Sequence, residues 1–199
     1  LVYVAHDVPP EHLPAAIAGA RALGYRGLSI TIPHKVAAMA CVDEVDATAR
    51  GIGCINTVIN DAGRLRGHNT DGRGALGALR AAGAEPTGRR VVVLGSGGAA
   101  RAITVALALE APPAELRVLG VVPDEVTRLV ADLNRSGHAA ATAHALDEAN
   151  LAAALEDADL LLNTTPVGMH PATDASLVPS RLLRPGLTVF DSVYNPRRT

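Results

Sequence analysis

Apolar runs alternate with segments of helical spacing along the second half of the chain. The runs are continuous, as in buried parallel strands, and most are followed by a helical segment. The predicted strands cover residues 90–94, 116–121, 139–145, 159–163 and 187–193, and the predicted helices cover residues 101–109, 124–136 and 148–155. This alternation predicts a parallel, doubly wound α/β sheet.

The first part of the chain has a different order, namely strand, helix, strand, helix and hairpin. We predict strands over 1–4, 29–32, 55–59 and 64–68, a turn at 60–63, and helices over 11–23, 33–41, 43–50 and 72–82. Pro33 is placed at the first helical position, where its missing N–H is tolerated. A polar stretch at 83–89 separates the two patterns. We therefore predict two domains, 1–83 (with 72–83 as a linking helix) and 84–199.

Composition narrows the classes of partner. The 199 residues are 48% hydrophobic but only 2% aromatic, so the core must be built from Ala, Val, Leu and Ile. A net charge of −2 gives no indication of nucleic acid or an anionic membrane as a partner. No apolar run approaches the ~18 residues of a membrane span, and no signal peptide is visible. We expect a cytoplasmic protein with a small-molecule substrate.

The cysteines and histidines do not indicate a further functional site. Cys41 and Cys54 have neither metal-ligand nor redox spacing, so we expect reduced, buried thiols. The histidines form no cluster with metal-ligand spacing, and we predict no metal site. The chain opens on Leu1 rather than Met, and both ends look cut, so we expect it to be part of a longer protein.

Lys35 follows the predicted strand at 29–32. It is the only lysine among the 18 basic residues, and the other 17 are arginines. Arginine can replace lysine where only a positive charge is needed, but it does not release a proton at ordinary pH. A partly buried lysine can be tuned to titrate. The uniqueness of Lys35 and its position at a strand-to-helix corner favour proton chemistry over a solvated surface charge.

Two further polar corners lie in the same part of the chain. Asn56 stands at the start of a predicted strand, and Asp71 stands where a strand leads into a helix. Asn69, Thr70 and Asp71 are all good N-cap residues, so a helix cap is the simpler alternative at that corner. Amide, ammonium and carboxylate groups together suit a ligand rich in hydroxyl groups. An aspartate beside a lysine would also orient the amine for proton transfer.

A glycine-rich turn follows the strand at 90–94. The sequence Gly95-Ser96-Gly97-Gly98-Ala99-Ala100 matches Gly-x-Gly-x-x-Ala between a strand and a helix. Such glycines permit a tight turn and let backbone N–H groups approach a pyrophosphate. The pattern predicts a dinucleotide site, with a purely structural turn as the alternative. Because ligands sit at the carboxyl ends of such strands, we expect the cleft to be lined also by Thr164, Thr165, Ser192 and Tyr194.

The end of the second strand of this sheet is unusual. NAD-binding domains usually carry Asp or Glu there, and NADP-binding domains carry Arg. This chain has Gly120-Val121-Val122-Pro123 instead. We expect Asp124, just beyond, to cap the following helix rather than to bind ribose. The residues at this strand end therefore do not indicate whether the cofactor is NAD or NADP.

Taken in order, these motifs resemble the shikimate dehydrogenase family over nearly the whole chain. The resemblance rests on Thr31-Ile32-Pro33-His34-Lys35, Asn56-Thr57, Asn69-Thr70-Asp71, Gly95-Ser96-Gly97-Gly98-Ala99, Asn163-Thr164-Thr165-Pro166-Val167-Gly168-Met169 and residues 191–196. It implies an N-terminal α/β substrate domain and a Rossmann-type dinucleotide-binding domain. It also implies reversible reduction of 3-dehydroshikimate to shikimate, usually with NADPH, in aromatic amino-acid biosynthesis.

The resemblance further implies residue roles. Lys35 and Asp71 fall on the family's catalytic pair. Thr31 and Asn56 would bind polar groups of the substrate, and Tyr194 would lie near its carboxylate. The cofactor would be bound by Gly95, Ser96, Gly97, Gly98, Ala99, Val121, Thr164 and Ser192.

This sequence departs from the family pattern in three places. The family's N-terminal Ser-x-Ser carboxylate clamp is not in this chain, and neither is its C-terminal segment with a substrate-binding Gln. The family's Asn-Arg-Thr aligns with Gly120, Val121 and Val122, which leaves no arginine there for the 2′-phosphate. NADP is the expected cofactor, and NAD stays open.

For the chemistry, we expect hydride transfer to the ketone carbon, with the Lys35 ammonium protonating the developing alkoxide and Asp71 holding Lys35. One alternative is a quinate or quinate/shikimate dehydrogenase that uses NAD. Others are a non-catalytic metabolite sensor of the same fold and a folate-type dehydrogenase. The intact set of Lys35, Asn56 and Asp71 argues against a sensor. We expect a monomer or a homodimer.

Overall fold

The computed structural model describes residues 2–137 and 140–196. These residues form two compact units, one that runs to Thr70 and one that begins at Asp71.

The first unit is built around a small mixed sheet. Its strands are β1 (Gly27–Ser29), β2 (Glu44–Val45), β3 (Thr57–Asp61) and β4 (Arg64–His68), and its helices are α1 (Leu13–Ala22) and α2 (Ala47–Ile52). The order across the sheet is β1-β3-β4-β2, with β2 and β4 parallel and the other pairs antiparallel. Leu13 and Ile17 of α1 pack with Val58 and Leu65 of the sheet in one buried cluster.

The predicted hairpin is confirmed. β3 and β4 pair from Thr57–His68 at the open end to Asp61–Arg64 at the turn. The turn residues Ala62 and Gly63 both have positive φ, 50° and 91°. Such a two-residue turn matches the twist of the strands it joins. The register therefore places Thr57 and His68 side by side.

Two predictions for the segment before this hairpin are wrong. Residues 2–9 carry no regular secondary structure, so no strand forms over 2–4, and Leu1 lies outside the described residues. The helix predicted to open at Pro33 is a turn, in which the His34 N–H donates to the Thr31 carbonyl at 2.9 Å. The Ile32–Pro33 peptide bond is cis, and a cis proline belongs at the third position of such a turn. A 3₁₀ helix, Ala37–Cys41, follows.

The neighbouring elements also differ in their bounds. The strand predicted over 29–32 is β1, which ends already at Ser29. The helix predicted over 43–50 is divided into β2 and α2. The cause is Asp46, whose carboxylate accepts the Ala49 N–H at 2.7 Å and so starts α2. Gly53, with φ 80°, ends it.

The second unit contains the predicted parallel sheet. Its helices are α3 (Asp71–Ala81), α4 (Gly98–Glu110), α5 (Pro123–Ser136) and α6 (Glu148–Leu155), and its strands are β5 (Arg90–Leu94), β6 (Glu115–Gly120), β7 (Ala141–Ala145), β8 (Leu160–Asn163) and β9 (Thr188–Asp191). The order is β7-β6-β5-β8-β9, and every pair is parallel. This confirms the Rossmann-type sheet. The start predicted for β7, Ala139, lies outside the described residues, as does His138.

β5 is the central strand of this sheet. Val91, Val92, Val93 and Leu94 are each 0% exposed. Val91 and Val93 belong to a cluster with α3, α4 and α5, whereas Val92 and Leu94 belong to a cluster with α6. Successive side chains of a strand point to opposite faces, so this run must be apolar throughout.

A charged network closes the amino ends of the central strands. Asp159 accepts the Arg90 backbone N–H at 2.9 Å and the Arg90 Nε at 3.3 Å. Asp157 bonds to Arg90 and Arg117. The hydrogen bonds from Arg90 lower the pKa of Asp159, and the one from Arg117 lowers the pKa of Asp157. These ion pairs have a structural role, at the edge of the sheet opposite the glycine-rich turn.

Candidate active site

Three segments leave the sheet of the first unit at the same end. Ser29, the last residue of β1, pairs with Thr57, and Thr57 pairs with His68, the last residue of β4. The loop after β1, the segment before β3 and the loop after β4 therefore start side by side. These segments carry the residues predicted for the substrate in this unit, Thr31, Lys35 and Asn56.

Asn56 is the centre of this group. Its backbone carbonyl accepts the Ile30 N–H at 2.7 Å, and its own N–H donates to the His68 carbonyl at 2.9 Å. Its side-chain oxygen accepts the Thr70 N–H at 3.0 Å and the Thr57 hydroxyl at 2.9 Å. Its side-chain Nδ2 donates to the Thr70 hydroxyl at 3.0 Å. Asn56 therefore fixes the position of Thr70, the residue directly before α3.

Lys35 lies in a turn, not in a helix. Its backbone carbonyl accepts the Ile55 N–H at 2.9 Å, which ties the loop after β1 to the segment that carries Asn56. Lys35 is half-buried. Thr31 is exposed, and its carbonyl closes the turn that contains Pro33.

Two histidines in these segments contact other parts of the first unit. The Nε2 of His34 lies 2.8 Å from the Val8 carbonyl oxygen. The Nδ1 of His68 lies 2.6 Å from a carboxylate oxygen of Asp46, the residue that also caps α2. Both rings therefore contact groups of the protein itself, which fits a positioning role better than a ligand-binding one.

The three candidate helix caps before α3 have different partners. Asn69 is 8% exposed, and its Nδ2 donates to the Cys54 carbonyl at 3.2 Å. The Thr70 hydroxyl bonds to Asn56. Asp71 is the first residue of α3 and is half-buried. Thr70 therefore stands directly before the helix, and Asp71 lies inside its first turn.

The second unit gathers its predicted residues at the carboxyl ends of β5 and β8, where the strand order reverses. Thr164 follows β8, and both its N–H and its hydroxyl donate to the Leu94 carbonyl, at 3.0 and 2.6 Å. Gly95 has φ 112°, and a Cβ there would lie 2.7 Å from the Thr164 Oγ1. The turn after β5 therefore requires glycine at this position. In open α/β sheets, this switch point is the ligand position.

Gly97 is a glycine for a different reason. Its φ of −74° suits any residue, and among the described residues no heavy atom lies within 4 Å of an added Cβ. Neither the backbone nor the packing of the unit demands glycine there. The missing side chain instead leaves the N-terminus of α4 open, as a pyrophosphate requires. Gly98 and Ala99 form the first turn of α4, so this loop fits a dinucleotide.

Asn163, at the end of β8, organises the other side of the switch point. Its Oδ1 accepts the Thr165 N–H at 3.0 Å and the Thr165 hydroxyl at 2.7 Å. Its Nδ2 donates to Asp191 at 3.0 Å, and its carbonyl accepts the Ser192 N–H at 2.9 Å. Sequence reasoning gave Asn163 no role of its own. The signal was a polar residue at the end of a strand that is otherwise apolar.

Two of the remaining predicted site residues, Val121 and Tyr194, are exposed, and Asp124 does not have the position expected of it. Val121 and Tyr194 are 77% and 91% exposed, after β6 and β9 respectively. Tyr194 thus lies in the second unit, whereas Thr31 and Asn56 lie in the first. The expectation that Asp124 caps α5 is wrong: the helix begins at Pro123, and the cap position is Val122. Proline at the first helical position shifts Asp124 into the first turn.

The described residues contain neither a metal-ligand cluster nor a membrane-spanning helix. Over 2–137 and 140–196, no group of three or more His, Cys, Asp or Glu side chains could hold a metal ion. Within those ranges, no helix combines the length and the apolar character needed to cross a membrane.

The parallel sheet with its glycine-rich turn defines a protein of the Rossmann dinucleotide-binding class. Residues 1–58 match the family model described as the shikimate dehydrogenase substrate binding domain. A shikimate dehydrogenase (NADP(+)) of Moorella thermoacetica is 45% identical over 199 residues, which cover 100% of this chain and 67% of that protein. The chain belongs to the shikimate dehydrogenase family.

Solved structures agree with this assignment. Shikimate 5-dehydrogenase from Listeria monocytogenes, in complex with shikimate and NAD, superposes with a TM-score of 0.87 at 33% identity, over 100% of this chain and 70% of that one. Quinate dehydrogenase from Corynebacterium glutamicum, in complex with NAD, gives a TM-score of 0.80 at 29% identity, over 92% of this chain and 64% of that one.

Proposed function

We propose that this protein is a shikimate dehydrogenase, which reversibly reduces 3-dehydroshikimate to shikimate with NADP as cofactor. The observation that carries the proposal is the set of amide and hydroxyl groups gathered around Asn56, on a segment that the Lys35 loop joins by a backbone hydrogen bond, in a chain that belongs to this family. Such groups suit a small polyhydroxylated ring. The relative from Moorella thermoacetica is named for NADP(+), which supports the choice of cofactor.

The proposed cofactor residues are those around the turn after β5. The N–H groups of 95–99 and the N-terminus of α4 would hold the pyrophosphate, with Thr164, Ser192 and Val121 at neighbouring strand ends. When bound, the dinucleotide supplies the hydride. The protein supplies orientation and the proton.

We propose Lys35 as the proton donor to the substrate oxygen and Asp71 as the second catalytic residue, acting on a substrate hydroxyl. A positioned acid typically contributes about 10²–10⁴-fold to the rate. Thr31 and Asn56 would bind substrate hydroxyls, and Tyr194 would lie near the carboxylate. The bonds from Asn56 to Thr70 support these roles, because they fix the loop that leads to Asp71.

The organisation of the whole protein is proposed in the same terms. Residues 1–83 would serve the substrate and residues 84–199 the cofactor. The packing of α3 against α4 in the second unit gives the linking helix a structural role as well. We propose a cytoplasmic monomer or homodimer.

A steady-state assay tests the function. Shikimate and quinate would each be incubated with NADP⁺ and with NAD⁺, and reduced nicotinamide would be followed by absorbance. We expect turnover of shikimate with NADP⁺. If none of the four pairs is turned over but shikimate binds measurably, the protein is a non-catalytic sensor rather than an enzyme.

A quinate or quinate/shikimate dehydrogenase that uses NAD is the second candidate. The exposed, uncharged Val121 and Val122 favour it, since neither offers a charge to a 2′-phosphate. The likeness to a quinate dehydrogenase in complex with NAD points the same way. Faster turnover of quinate with NAD⁺ than of shikimate with NADP⁺ would establish it.

Gly97→Ala should weaken dinucleotide binding with little effect on the stability of the fold. We expect the free energy of unfolding to fall by no more than about 1 kcal/mol, because the added methyl meets open space. We expect dinucleotide affinity to fall at least about tenfold, because the methyl occupies the place of the ligand. Calorimetric titration and thermal unfolding measure the two effects. Gly77→Ala, which adds a methyl at an open position of α3, is the control; equal binding by all three proteins would contradict the dinucleotide site.

A further inference from the structure

A glutamate lies beside the glycine-rich turn, at the corner where β6 ends. The Ser96 hydroxyl donates to a carboxylate oxygen of Glu125 at 2.9 Å. Ser96 is 9% exposed, and Glu125 is half-buried in the first turn of α5. The carboxylate is thus held by a hydrogen bond between two segments of the predicted cofactor site.

Gly120 explains why this carboxylate comes from α5 and not from the strand. A Cβ at position 120 would lie 2.5 Å from the Cγ2 of Val126 and 3.4 Å from the Ser96 Oγ. Position 120 is therefore closed to any side chain. Ser96 and Val126 fill the space in which a Rossmann domain usually places its ribose-binding residue.

The arginines on the two adjoining helices have partners within the protein, and Arg128 is bonded to the same turn that carries Glu125. The Nε of Arg128 donates to the Asp124 carbonyl at 3.1 Å, and the Nη1 of Arg101 lies 3.4 Å from a carboxylate oxygen of Asp132. Asp124 and Glu125 make the first turn of α5 acidic. With two carboxylates and one arginine, this turn is net negative, so a phosphate at this corner would meet a like charge, whereas a free ribose hydroxyl would meet a hydrogen-bond acceptor.

We propose that Glu125, oriented by Ser96, is a residue that discriminates between the two cofactors, because its charge weakens the binding of the 2′-phosphate of NADP⁺. The inference rests on the proposed function, because it takes the turn at 95–99 as the dinucleotide site. It identifies a specificity residue in α5, outside the strand end at which that choice is usually made.

Binding measurements test this without relying on turnover. Calorimetric titrations would use NAD⁺ and NADP⁺, and also 5′-AMP and adenosine 2′,5′-bisphosphate, which differ only by the 2′-phosphate. In Glu125→Gln, which keeps the shape and an acceptor for Ser96, we expect binding of the two 2′-phosphorylated ligands to improve about tenfold, since a like charge is removed. Affinity for NAD⁺ should stay within about twofold, because the amide still accepts a hydrogen bond.

Asp124→Asn is the matched control, because it removes the same charge from the same turn one residue away. An equal gain in both variants would overturn the specific role of Glu125 in favour of general electrostatics. An unchanged affinity for the two 2′-phosphorylated ligands in Glu125→Gln would overturn the inference and leave the proposed function standing. Binding of none of the four ligands would overturn both.

Discussion

Lys35→Met should lower kcat of shikimate oxidation by at least about 10²-fold, with only a modest change in KM. The expected loss is large because methionine fills a similar volume but can neither give nor accept a proton. The rest of the loop should stay in place, since it is held by backbone groups. The Lys35 carbonyl bonds to the Ile55 N–H, and the Thr31 carbonyl bonds to the His34 N–H. The measurement is steady-state kinetics across pH, with circular dichroism as a check on folding.

Lys35→Arg is the decisive companion variant. It keeps the positive charge, so a role limited to electrostatic binding would survive in it, whereas proton transfer would not, because the guanidinium stays protonated. Near-normal turnover in Lys35→Arg would remove the proton-transfer role. Arg26→Met deletes a positive charge from an exposed position of the same unit and should leave kcat unchanged.

Gly72→Ala should destabilise the second unit by about 3 kcal/mol, an overpacking effect of one methyl group. In a protein of this size, that corresponds to a fall in Tm of about 10 °C. Gly72 is buried in the first turn of α3, where an added Cβ would overlap the Ala102 carbonyl oxygen and lie 2.8 Å from the Ala106 Cβ. Both partners belong to the backbone and short side chains of α4, so neither can swing away. The two helices must separate to accept the methyl.

Gly74→Ala in the same helix should have the opposite sign. No described atom lies within 4 Å of an added Cβ at Gly74. Alanine there should stabilise the helix by about 0.5–1 kcal/mol, because glycine loses more backbone entropy on folding. Thermal unfolding of the two variants against the unmodified protein is the measurement. A Gly72→Ala protein as stable as Gly74→Ala would show that α3 and α4 are not in this close contact.

The elements of the second unit could be predicted with small errors because each depends on a local pattern. β5 and α6 occupy the residues expected of them, 90–94 and 148–155. A parallel strand covered on both faces must be apolar at every position, which makes it visible in one sequence. The glycine-rich turn was visible for a related reason, since Gly95 must adopt a positive φ.

The first unit was harder because its short elements depend on distant partners. β2 is two residues long and exists through its pairing with β4. Pro33 is compatible with either a helix start or a turn, and the local sequence does not choose between them. In the fold, the loop is held by the bonds of Ile30 and Lys35 to the segment at 55–56, which lies 20 or more residues further along the chain.

The sequence by itself determined the fold class, the family and the residues that offer chemistry, Lys35, Asn56, Asp71 and the glycines of 95–98 among them. These follow from residue identity, local periodicity and the order of motifs. Only the tertiary structure decided that Asn56 holds Thr70, that Gly72 must be small, and that Ser96 orients Glu125 beside the end of β6. Each of these depends on a contact between residues that are 14 to 34 positions apart in the chain. Hydrophobic patterns do not encode such contacts.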